Sequence, residues 1–275
     1  MKSIFELKMF FLFLISIAFP VEGVAMELAP WYPRLFEFQP KIEVLSQHSR
    51  SIASDHGTFL KPLHANYLNF GIGYPYYNWY GELELIMADS KHRYYDNTIV
   101  TGRYQLTNDV SGESFLSSVA ALSVTASTRN ALYDLNSFHH GKFEAIAHLS
   151  AGKEFVDNQF WCYRIWGTLG IGAADVGSPW MHLKFSLENN FRDRSILGFF
   201  VESFYGLGGN ALSKHKKFHG YGSIRHRSID FGAFYSYIFD GGQKLSFGGR
   251  YRAYARNFPE HAASISLIFL SPFAL

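Results

Sequence analysis

Alternation of apolar and polar side chains with a period of two recurs along most of this chain, and it constrains the fold more than any other feature. From Leu245 to Arg256, Leu245, Phe247, Gly249, Tyr251, Ala253 and Ala255 share one face. Lys244, Ser246, Arg250, Arg252 and Arg256 share the other. Successive side chains of a strand point to opposite faces, so this spacing marks a strand with one apolar and one polar side, and no helix produces it. Val100 to Thr107, Trp79 to Met87, Phe143 to Ala151, Trp161 to Ile171, Met181 to Leu187 and Leu197 to Leu207 behave alike.

What the apolar face meets follows from compartment and composition. Lys2 and Lys8 flank a short start, and an apolar run from Met9 to Phe19 ends at Pro20, with Gly23 and Ala25 two apart behind it. A charged start, an apolar stretch and a small-residue exit predict a secretory signal peptide over residues 1–25, cleaved after Ala25. Beyond it no run approaches the roughly 18 apolar residues of a spanning helix. Yet 48% of residues are hydrophobic and 18% aromatic, against 17% charged. An exported chain that is apolar on average but never for long has to alternate, as the wall of a membrane barrel does.

The fold expected is therefore all-β: an antiparallel transmembrane β-barrel over residues 26–275, forming one domain. Strand-like segments fall at 34–48, 64–74, 77–90, 97–107, 113–126, 142–153, 160–172, 180–190, 195–208, 219–239, 243–256 and 263–275. Long connections (around Ser51 to Leu63, Lys91 to Asp96, Ser127 to Gly141, Ala173 to Ser178, Gly208 to Phe218, Asn257 to His261) alternate with short ones (Pro75, Asp109 to Gly112, Val156 to Gln159, Arg192 to Arg194, Asp240 to Gly242). That arrangement gives about 12 strands with both termini periplasmic. Parity breaks between Phe218 and Phe239. A bulge inside one long strand keeps the alternation of loops, whereas a hairpin near Arg227 would not. Alternate apolar residues Ile265, Leu267, Phe269, Phe273 and Leu275 form a closing strand.

Four segments, Ala29-Pro-Trp-Tyr-Pro33, Val100-Thr-Gly-Arg-Tyr104, Gly177-Ser-Pro-Trp-Met-His182 and Tyr254-Ala-Arg-Asn-Phe258, resemble porin-like outer-membrane barrel proteins of chlamydia-like bacteria. The resemblance implies an outer-membrane barrel of a Gram-negative-type envelope. It implies no reaction and carries no catalytic residue.

The polar face becomes a lumen lining. It collects Arg103, Arg164, His182, Lys184, Arg225, Arg227, Lys244, Arg250 and Arg252, opposed by Glu82, Glu84, Glu144, Glu188 and Glu202. The excess of cations predicts a pore for small solutes with a mildly cationic lumen; mutual pairing that plugs the barrel is the other outcome. A rival function is an outer-membrane lipid or ester hydrolase built on His148 and Ser150, two apart on one face. Their lumen-facing parity disfavours it. A structural or adhesive surface protein is a third reading. His139, His140, His215 and His219 are expected to be solvated in loops, with no metal and no cofactor. Lys214, Lys216 and Lys217 with His215 form a small basic loop that either meets anionic lipopolysaccharide or only keeps the loop soluble, and the expected partners are outer-membrane lipids, lipopolysaccharide and small solutes. The net charge of +2 gives no stripe for nucleic acid, and the single Cys162 gives no disulfide framework.

Overall fold

The computed structural model describes residues 28–90, 92–112, 114–157 and 160–274. The signal-peptide reading over residues 1–25 lies outside them. Twelve long antiparallel strands close on themselves: β1 (Glu37–Ala53), β2 (Phe59–Tyr76), β3 (Trp79–Asp89), β4 (Arg93–Thr107), β5 (Ser117–Ser127), β6 (Phe143–Asp157), β7 (Phe160–Ala174), β8 (Trp180–Phe191), β9 (Ser195–Gly206), β10 (Arg227–Ile238), β11 (Lys244–Arg256) and β13 (Ala263–Leu270). Each pairs with its neighbour in sequence, and β1 pairs with both β2 and β13, which removes every free edge of the sheet. Two short strands, β12 (Phe258–Glu260) and β14 (Phe273–Ala274), extend β1 at its two ends. One helical turn, α1 (Arg129–Tyr133), is capped by the Thr128 side chain. No helix among the described residues is long and apolar enough to cross a membrane.

Burial is inverted relative to a water-soluble protein. In β3, Trp79, Leu83, Leu85 and Met87 are exposed, while Glu82 and Glu84 are buried. Glu84 has no accessible surface at all, whereas Leu85 is 42% exposed. Water would penalise both placements, and hydrocarbon outside with a polar interior rewards both. Tyr76, Tyr77, Trp79, Tyr104, Phe160 and Tyr163 cluster at the outer surface near one end, as an interfacial aromatic belt requires.

The two ends differ. One, the turn end, carries the tight turn at Arg192 and Asp193, whose φ values of 54° and 55° match the twist of the flanking strands. The other, the loop end, carries residues 54–58, 128–142, 175–179, 207–226 and 257–262. The even strand count leaves the start of β1 and the end of β13 together at the turn end.

Several expected boundaries move. The loop expected around Ser51 to Leu63 shrinks to 54–58, and the turn expected at Asp109 to Gly112 grows to 108–116. The segment expected as a strand over 219–239 enters the barrel only at Arg227, because 219–226 belong to a folded loop. A bulge does exist nearby, but in the partner strand. Ile229 pairs with Tyr254 and Asp230 with Arg252, so Ala253 is the extra residue.

Candidate functional site: the lumen and its two closures

The N-terminal residues before β1 turn inward and form a floor. Leu28, Ala29 and Trp31 are buried together with Trp166 of β7. Pro30 and Pro33 deny this segment a helix or a ladder, so its polar groups bond to the wall. The Trp31 indole donates to Asp109 at 3.0 Å, Arg103 donates to the Ala29 carbonyl, and Gln105 donates to that of Pro30 at 3.4 Å. The Arg164 guanidinium lies 4.7 Å from the Trp31 ring centre. Burial pushes the Asp109 carboxyl up, but hydrogen bonds from Ser117, the Glu154 amide and Trp31 outweigh burial and hold it below the usual range.

Above the floor the wall carries paired charges. Lys41 reaches Glu82 at 2.7 Å and Glu84 at 2.6 Å. Glu202 accepts from Arg250 and, at 2.8 Å, from His182. Arg252 donates twice to Asp230, both at 2.8 Å, and Arg164 meets Glu154 at 2.5 Å. Glu188 accepts the Trp166 indole proton at 2.7 Å. Arg103, Arg164, Lys184, Lys244, Arg250, Arg252, Glu82, Glu84, Glu144, Glu188 and Glu202 lie on the inner face. Lys41, Glu43, Glu154 and Asp230 join them. Alternation along 37–53 marks Lys41 and Glu43; Asp230 was hidden by the parity break.

Two expected lumen residues lie elsewhere. Arg225 sits in the loop before β10 and pairs with Asp55 at 3.0 Å, out at the rim. Arg227 alternates with buried Ser228, so it faces outward, its guanidinium 4.3 Å from the Tyr205 ring centre.

Two cavities of about 180 Å³ each remain inside. The lower is lined by Lys184 and Lys244, by Glu43 and Glu188, and by Trp166, Phe200 and Phe234; Leu28, Glu202 and Arg250 touch both cavities. Lys184 packs over the Phe200 ring at 4.7 Å. Among the described residues, neither Lys184 nor Lys244 has a carboxylate within salt-bridge distance.

The loop end is closed by a lid. The expectation of solvated loop histidines holds for exposed His215 and His219 but fails for His139 and His140, which are 7% and 2% exposed. His139 lies between Asp96 at 2.8 Å and Glu144 at 3.2 Å. His140 stacks flat on Trp180, ring centres 3.6 Å apart, and its backbone amide donates to Glu144 at 2.9 Å. Its Nε2 lies 2.9 Å from His226 Nε2, so one proton lies between them. With His140 Nδ1 turned to Glu144, the network assigns that proton to His226 as donor, leaving His226 Nδ1 an acceptor. Phe138 fills the centre against Phe204, Tyr221, His226 and Phe258. The tip of 175–179 docks on the same lid: Ser178 donates to the Gly222 carbonyl at 2.7 Å. A side chain at Gly177 would collide with the Gly222 backbone at 2.3 Å.

Burial alone would push the His139 imidazole down. Asp96, and then Glu144, outweigh it and raise its pKa to about 10. Burial wins at His140 and His226, whose pKa values are pushed below the ordinary histidine value.

The hydrolase constellation is not assembled. The Ser150 hydroxyl donates to Thr168 at 2.9 Å, and the buried His148 ring nitrogens have no hydrogen-bond partner among the described residues. No group of three His, Cys, Asp or Glu residues is placed there to hold a metal ion.

No protein-family model and no curated protein matches the chain. Solved structures do. An outer membrane channel from Pseudomonas putida F1 gives a TM-score of 0.65 at 12% identity, over 91% of this chain and 100% of that one. The NanC porin gives 0.58 at 7%, over 86% and 100%. The KdgM porin in complex with disordered oligogalacturonate gives 0.51 at 10%, over 85% and 99%. At these identities the likeness establishes a shared barrel fold.

Proposed function

We propose that the chain is an outer-membrane channel for small solutes, held here with its loop end closed. The observation that carries this reading is a polar, cavity-bearing interior inside a barrel whose outer face is apolar. The three barrels that share its fold, a channel and two porins by name, support it. Both termini lie on the periplasmic side and the lid faces outward. The resemblance to envelope barrels of chlamydia-like bacteria would place it in such a membrane.

The lumen is mildly cationic, which favours anions, and this preference comes from Lys184 and Lys244. The remaining lumen arginines are engaged by Glu154, Glu202, Asp230 and the Ala29 carbonyl, and engaged charges add little net field to a pore.

Purified protein refolded into planar bilayers tests the function. Discrete conductance steps, with anions preferred in a salt gradient, are expected. A folded barrel that conducts under no condition, and that hydrolyses a detergent-dispersed ester through Ser150, would overturn the reading.

A further inference from the structure

Outside the lid, the loop end carries a recess of about 980 Å³ that solute passage does not account for. Three surfaces frame it. Residues around the 54–58 turn supply Asp55, His56, Phe59, Leu60 and Lys61; the end of α1 supplies Tyr133 and its C-cap Asp134. The 207–226 loop supplies Lys214, Lys216, Lys217 and Arg225.

Its acids are already engaged. Asp55 accepts from Arg256 at 2.5 Å, and from Arg225 and Asn257 at 3.0 Å each. Those bonds, Arg256 first, hold its carboxyl well below the usual range. Asp134 accepts from Ser90, from Tyr94 at 3.1 Å and from both nitrogens of Asn136 at 2.9 Å.

The lysines are not engaged in this way. Lys214, Lys216 and Lys217 are exposed, and none has a carboxylate within salt-bridge distance among the described residues. Lys217 lies over the Tyr133 ring at 5.1 Å. Its neighbours on the rim therefore neutralise the recess acids while leaving these ammonium groups to an outside anion.

We propose that this recess is a binding site for a multivalent, phosphate-bearing anion, held by Lys214, Lys216 and Lys217. The choice of phosphate follows from donor type. An ammonium group is a compact point charge that suits tetrahedral oxyanions from any direction, whereas planar carboxylates are best met by a guanidinium fork. The fork in the recess, Arg225, is occupied by Asp55. The recess is also far larger than one phosphate, so several phosphates on one molecule would fill it. Such an anion can be free in the medium or carried by lipid, and Leu60, 84% exposed at the wall, offers an apolar contact to the second kind.

The site rests on the outward placement of the lid but not on conduction, so it is tested in detergent, where channel activity plays no part. Calorimetric titration of the folded protein uses inorganic tripolyphosphate in one arm. The other uses mixed micelles containing lipid A, with dephosphorylated lipid A as reference. Saturable binding is expected in at least one arm, weakening at least tenfold when NaCl is raised from 50 to 200 mM, since three or more ionic contacts are lost together. The triple variant Lys214→Gln, Lys216→Gln, Lys217→Gln should bind at least tenfold more weakly, while Arg194→Gln, an exposed cation at the turn end, should bind as the parent. Heat-modifiable gel migration confirms that each variant is folded. Binding in the lipid arm alone identifies a lipid-borne phosphate, and binding in the first arm a soluble one. No saturable binding in either arm, or binding equal in the triple variant, overturns the proposal.

Discussion

Raising the pH should open the lid, and His139 sets where. Its imidazolium is buried between Asp96 at 2.8 Å and Glu144 at 3.2 Å, with Ser127 at 2.9 Å and Asn97 at 3.2 Å completing its contacts. The second histidine facing Glu144 is His140, at 3.4 Å. A pKa raised from 6.5 to about 10 means that the closed lid holds the His139 proton more tightly than the open one. Closure is then fully supported below about 6.5 and loses this support as the pH climbs through 10. The rise corresponds to about 5 kcal/mol, which is more than three orders of magnitude in the closed-to-open ratio. Conductance of single barrels, read from pH 7 to 11, should stay low and then rise steeply near the upper end. Protease cleavage within 207–226 should rise in parallel, while gel migration shows the barrel intact. His139→Gln should conduct at pH 7 and show no alkaline step. A flat profile in the parent, or the same step in His139→Gln, refutes the assignment.

Acid should open the same lid by a different route: His140 and His226 have lowered pKa values, so their support is present above about 6.5 and fades as pH falls; His226→Phe, which cannot take up a proton, should shift or abolish the acid rise in conductance. Lys184→Gln with Lys244→Gln should move the reversal potential in a KCl gradient toward cation preference, and an unchanged potential in a conducting variant removes both from the selectivity argument. Arg252→Ala leaves the buried Asp230 carboxylate without its two-bond partner and should destabilise the barrel by about 3–5 kcal/mol, seen as a lower denaturant midpoint. A tag inserted at Lys214 should be labelled on intact cells and one at Gly241 should not; the reverse pattern inverts the topology.

How much of this was readable beforehand follows from what period two can report. It says which side of a strand is polar, and so it located the wall. Segment 160–172 lies within β7, and Arg103, Lys184 and Arg250 turn inward. It fails where a folded loop runs into a strand. The apparent break before Ile229 comes from the loop that ends at His226: from Arg227 onward β10 runs in unbroken register on β9, and the bulge at Ala253 turns side chains of β11 only. Arg225 and Arg227 were misplaced for that reason. Nor can alternation say what fills the lumen. The burial of His139 depends on Asp96, 43 residues away, and that of Trp31 on Asp109, 78 residues away. Both contacts exist only once the barrel has closed.

The floor and the lid obstruct the same lumen with different chemistry. The wall is held by an uninterrupted backbone ladder from β1 round to β13, and no residue of the lid's hydrogen-bond network on 128–142 or 207–226 is needed to complete it. Both closures can therefore detach while the wall persists, since local opening draws on local contacts alone. The lid is fastened through three imidazoles, one that loses its proton in alkali and two that gain one in acid. The floor is fastened by an indole donating to a carboxylate held low and by a guanidinium donating to a carbonyl, none of which changes charge there. Acid or alkali should thus act on the lid and leave the floor as it is. A pH step in conductance then reports the lid alone, at whatever current the floor allows, and the Trp31–Asp109 contact sets that current independently of protons.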